Sequence, residues 1–68
     1  MKNTITRTIT AGLLIRKQIK RDLEKAKFYG YNITWFEEKG FLESIFHING
    51  SYEHVMYICD KIFEHYSD

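Results

Sequence analysis

The residues of this 68-residue chain that could carry chemistry are few. His47, His54, His65 and Cys59 are its only imidazoles and thiol, and Glu37-Glu38 is its only adjacent pair of carboxylates. A metal site needs three or four such ligands converging on one ion. Histidines eleven positions apart on a helix, such as His54 and His65, lie about 16 Å apart along its axis, so no single ion reaches both. Cys59 falls on the apolar side of a helical pattern, where a cysteine acts as a small hydrophobe unless a base and an electropositive setting activate it. Neighbouring strand residues point to opposite faces, which keeps Glu37 and Glu38 from acting on one substrate as acid and base, and we place the pair in a hairpin turn. There is no Gly-rich phosphate loop and no serine-hydrolase motif. We therefore expect no metal, no cofactor and no enzymatic activity.

Charge is the second chemical resource, and it is unevenly spread. Residues 1–28 hold eight Lys or Arg against Asp22 and Glu24, whereas residues 29–68 hold Lys39 and Lys61 against seven carboxylates, giving the overall +1. Arg16, Lys17, Lys20, Arg21 and Lys27 form a basic cluster able to contact nucleic-acid phosphates. The competing expectation is internal: Glu53, Asp60 and Glu64 line a flank of the last helix, and a basic flank beside it would be matched within the fold. Near-neutral total charge weighs against strong nonspecific nucleic-acid binding.

Residues 39–46, KGFLESIF, resemble the RNA-binding strand of the RNA recognition motif through Lys39, Gly40, Phe41 and Phe46. Glu43 stands where that pattern expects a second stacking aromatic, and the chain has no fourth strand, so the resemblance is set aside.

The elements that must position these groups follow from periodicity. NTITRTITA alternates strictly, with four threonines on one side and Ile5, Arg7, Ile9 and Ala11 on the other, which predicts a strand. Arg7 breaks the apolar side and is expected at a sheet edge with its guanidinium reaching water. Ile15, Ile19, Leu23 and Ala26 then share one helical stripe that Gly30 ends. YNITWFEEKGFLESIFHING reads as a hairpin turning near Glu38-Lys39-Gly40. Ser51 is placed to cap a last helix whose apolar arc holds Val55, Ile58, Cys59, Ile62 and Tyr66, with Tyr52, Met56 and Phe63 beside them.

The order β-α-β-β-α predicts a single α+β domain over residues 1–68: an antiparallel sheet in the order 1-3-2 with both helices on one face, like a ferredoxin-like fold lacking its last strand. The first strand is then an open edge. On the uncovered sheet face we expect Phe36, Phe41, Ile45 and His47 to form an apolar strip that, with the Arg7 edge, binds protein. The function expected is a small non-enzymatic binding module, a homodimer or a docking or inhibitory subunit of a larger protein. Nucleic-acid binding by the basic helix is the alternative. No run approaches the ~20 apolar residues that span a bilayer, MKNTITRT lacks the apolar block of a signal peptide, and the lone cysteine suits a reducing compartment, so no membrane partner and a cytoplasmic location are expected.

Overall fold

The computed structural model describes residues 3–66. Its elements are β1 (Thr4–Gly12), α1 (Arg16–Phe28), β2 (Ile33–Lys39), β3 (Glu43–Ser51) and α2 (Tyr52–Tyr66). The strands form one sheet in the order β1-β3-β2, with β3 antiparallel to both neighbours. This is the expected β-α-β-β-α arrangement.

Alternation decides which face is covered. In β1 all four threonines are exposed while Ile9 and Ala11 are buried, and in β3 Ser44, Phe46 and Ile48 are fully buried. Both helices lie over this face, where Ile19, Leu23 and Ala26 of α1 meet Val55, Ile58, Cys59 and Ile62 of α2 in one core. Central β3 supplies the largest core side chain, Phe46, because a strand flanked on both edges has the least access to water.

Two local devices set the layout. Gly30 (φ 93°) takes the left-handed conformation after α1. The Tyr31 N–H then donates to the Ala26 carbonyl at 3.1 Å and the Gly30 N–H to that of Lys27 at 3.0 Å, the paired bonds of a Schellman ending. At the other junction β3 passes into α2 with no loop. Ser51 is the last strand residue and the cap, its Oγ accepting from the His54 N–H at 3.4 Å.

The hairpin departs from the expected turn. Its strands remain paired to Lys39 and Ser44, so the turn is displaced to Gly40-Phe41-Leu42 and both Glu37 and Glu38 lie within β2. Phe41 thereby leaves the sheet face.

Candidate protein interface

β1 presents nine residues of strand with one free edge. Edge strands are ordinarily guarded by charge. The opposite edge, β2, follows that rule by ending in Glu37-Glu38-Lys39. β1 carries a single charge, Arg7, whose side chain lies on the helix-covered face, half-buried, with Nη1 3.2 Å from the Met56 sulfur. The position is an edge, but its cation is turned under α2 because Arg7 shares the inward register of Ile5 and Ile9.

The helix runs alongside this edge. The Tyr52 N–H donates to the Asn3 carbonyl at 2.9 Å, Met56 meets Arg7, and Phe63 lines a groove of about 280 Å³ with Ile9, Ala11, Ile15, Ile19 and Ile62. At 100° per residue Tyr52, Met56 and Phe63 form one narrow stripe. Tyr52 is 50% and Phe63 46% exposed, and among the described residues no fourth strand lies beneath them. The wide apolar arc of α2 is thus covered on one side only.

The uncovered sheet face is less apolar than expected. Its cross-strand rows are Thr6-Asn49-Thr34, Thr8-His47-Phe36 and Thr10-Ile45-Glu38. Phe36 is 62% exposed and stacks on His47, centroids 4.6 Å apart and planes 12° from parallel, while His47 Nε2 lies 3.0 Å from Glu38 Oε1. Ile45 and His47 are half-buried. Of the four residues expected there, Phe36, Ile45 and His47 share the face. Phe41, 82% exposed in the hairpin turn, does not.

Phe41 instead belongs to a patch that periodicity did not reveal. The pairing of Gly12 with Glu43 brings the β1–α1 connection and the hairpin turn to the same end of the sheet. Leu13, Leu14, Phe41 and Leu42 are all exposed there, Leu14 at 90%. Arg16 ties the two loops, its Nη1 donating to the Gly40 carbonyl at 3.0 Å.

The charged flanks do not meet, contrary to the internal-matching expectation. His47–Glu38 is the only ion pair among the described residues. The side of α1 that faces α2 carries Asp22, which accepts from the Tyr66 hydroxyl at 2.8 Å. Arg16 points the other way, toward Gly40 and the Ser44 hydroxyl (3.4 Å), and Ser44 donates to Glu37 Oε2 at 2.6 Å. Glu53, Asp60 and Glu64 are exposed along the back of α2, and Lys17, Lys20, Arg21 and Lys27 are exposed on α1.

The histidines and the thiol are placed structurally. His54 Nδ1 accepts from the Asn32 N–H at 2.7 Å, which joins α2 to the start of β2, and its ring meets Tyr31 edge-on. Nothing in the local periodicity signals this bond, since 22 positions separate its ends. Cys59 is buried, and desolvation pushes its thiol up; Arg7 pulls it down less strongly, and Asp60 adds to the rise. Among the described residues no three of His, Cys, Asp and Glu gather to hold a metal ion, and no helix is long and apolar enough to cross a membrane.

Geometry of this kind defines a class only by shape: a small α+β sheet with one unguarded edge. Comparison with protein families, curated proteins and solved structures finds no match.

Proposed function

We propose that the protein works by binding another polypeptide, which adds a strand along β1. The observation that carries this reading is the unguarded edge: nine residues of strand whose only charge is folded under α2, beside a half-exposed apolar stripe. Added strands gain main-chain hydrogen bonds from such an edge, and the flanking side chains give selectivity. A copy of the chain or a larger protein that it docks on or inhibits would serve, with Phe36, Ile45 and His47 extending the contact onto the sheet face. The reading invokes no catalysis and no cofactor. A free, buried Cys59 suits the cytoplasm.

Hydrogen exchange tests it, read on the bound protein, whether self-associated or complexed with peptides selected from a displayed library. The β1 amides are expected to slow on binding. Protection elsewhere, with β1 exchanging as in the free protein, would refute the reading.

A second reading has its own support, because the exposed cations of α1 have no acidic partner among the described residues. Lys17, Lys20, Arg21 and Lys27, with Arg16 at the helix start, would then contact nucleic-acid phosphates. This predicts salt-sensitive binding in fluorescence anisotropy titrations of labelled nucleic acid, abolished by Lys17→Glu with Arg21→Glu, two positions facing away from the core. No binding at low salt removes it.

A further inference from the structure

We propose that the occupant of the β1 edge is a second copy of this chain, paired antiparallel about Thr8. The inference rests on the edge-binding reading above and adds both partner and register.

A two-fold axis normal to the sheet at β1 joins two three-stranded sheets into one of six strands and sets the same surface of each copy against itself. Thr8 is the midpoint of Thr4–Gly12, so pairing about it uses the full strand, with Thr4 opposite Gly12 of the other copy. Electrostatics selects the same register. Centring on Arg7 would set two guanidiniums directly across from each other, which is destabilising. Centring on Thr8 moves each Arg7 opposite an Ile9, which leaves the two guanidiniums as diagonal neighbours about 7–8 Å apart instead of directly opposed, and on the outer face it sets Thr6 opposite Thr10.

The helices supply the second half of the argument. α2 runs in the same direction as β1, with Tyr52 beside Asn3, Met56 beside Arg7 and Phe63 beside Thr10–Gly12. The axis that pairs β1 with its copy therefore brings the two α2 stripes together antiparallel. Tyr52 of each copy faces toward Phe63 of the other, and the two methionines lie near the axis. Apolar surface meets apolar surface, and the half-exposed Tyr52 and Phe63 gain cover that the described residues of their own copy do not provide. The acidic residues Glu53, Asp60 and Glu64 are exposed on the back of α2, the side opposite its buried arc, where solvent screens them from their copies. Among the described residues Arg7, one from each copy, is the cation in the contact.

Cysteine scanning tests the register, because directly opposed residues of an antiparallel pair lie within disulfide reach. Thr6, Thr8 and Thr10 are exposed on the outer face, so substitution there leaves the core intact, and buried Cys59 provides the wild-type control. Under mild oxidation Thr8→Cys is expected to form a covalent dimer. Thr6→Cys and Thr10→Cys are each expected to remain uncrosslinked alone, yet to cross-link when mixed. Sedimentation equilibrium should show the wild-type protein as a dimer and Phe63→Ser with a dissociation constant raised tenfold or more.

A protein that stays monomeric at its highest soluble concentration overturns the second copy. The edge-binding reading then survives only if a selected peptide slows β1 exchange. A dimer that does not cross-link at Thr8, resists Phe63→Ser and is broken by Leu14→Ser with Phe41→Ser assembles through the loop end instead. That outcome overturns the inference and the edge reading together.

Discussion

At the scale of the residue, the informative contacts are polar ones that bridge elements. Ser44 is fully buried, and its hydroxyl donates to Glu37 while lying 3.4 Å from the Arg16 guanidinium. A buried donor left without an acceptor retains its full desolvation cost. Glu37→Ala is therefore expected to lower unfolding stability by about 1–3 kcal/mol in urea titrations, and Ser44→Ala by less, since the donor is removed as well. Tyr66 gives a pH dependence. Burial, and then the hydrogen bond to Asp22, push its phenol up to about 12, from an ordinary value of 10.0. The folded protein thus holds a proton that the unfolded chain releases above pH 10. The associated stability is present below pH 10 and is lost as pH rises through about 12. Chemical unfolding between pH 10 and 12 should show a steeper decline for wild type than for Tyr66→Phe.

At the scale of the element, the junctions are more constrained than the interiors. Gly50 lies in β3 between Ile5 and Ile33, where the chain passes beside Asn32 before α2 begins. A Cβ at this position would overlap the Asn32 carbonyl oxygen and stand 2.8 Å from the Ile33 Cα. Both are backbone atoms, the Asn32 carbonyl held by the Ser51 N–H and Ile33 paired in β2, so neither gives way cheaply. Gly50→Ala is expected to cost about 3 kcal/mol, the upper end for overpacking, measured by urea denaturation. Against the ~3–5 kcal/mol that one small core supplies, such a loss populates the unfolded state at room temperature.

At the scale of the whole molecule, the fold leaves an imbalance between apolar surface and cover. Two helices cover one sheet face, yet Tyr52 and Phe63 beside the edge and Leu13, Leu14, Phe41 and Leu42 at the loop end remain exposed. A second copy on the edge would relieve the first group and leave the second open. If the folded chain is a dimer, unfolding is coupled to dissociation, so its melting temperature should rise with protein concentration in scanning calorimetry. A melting temperature independent of concentration is the signature of a monomer.

The sequence by itself determined what depends on period and punctuation. Strict alternation in NTITRTITA set the faces of β1, the Ile15-Ile19-Leu23-Ala26 spacing set the stripe of α1, Gly30 ended it, and Ser51 started α2. Element order then constrained the sheet to 1-3-2 and made β1 an edge. What remained undetermined depends on register and on the angle at which elements pack. A two-residue displacement of the hairpin turn moved Phe41 from the sheet face to the turn and placed Glu37 within β2, where it accepts from Ser44. The rotation of each helix about its own axis directed Arg16 toward the hairpin and Asp22 toward Tyr66, so the oppositely charged flanks never met. Arg7 combines both cases: alternation assigned its face, but only the position of α2 over β1 brought its guanidinium against Met56.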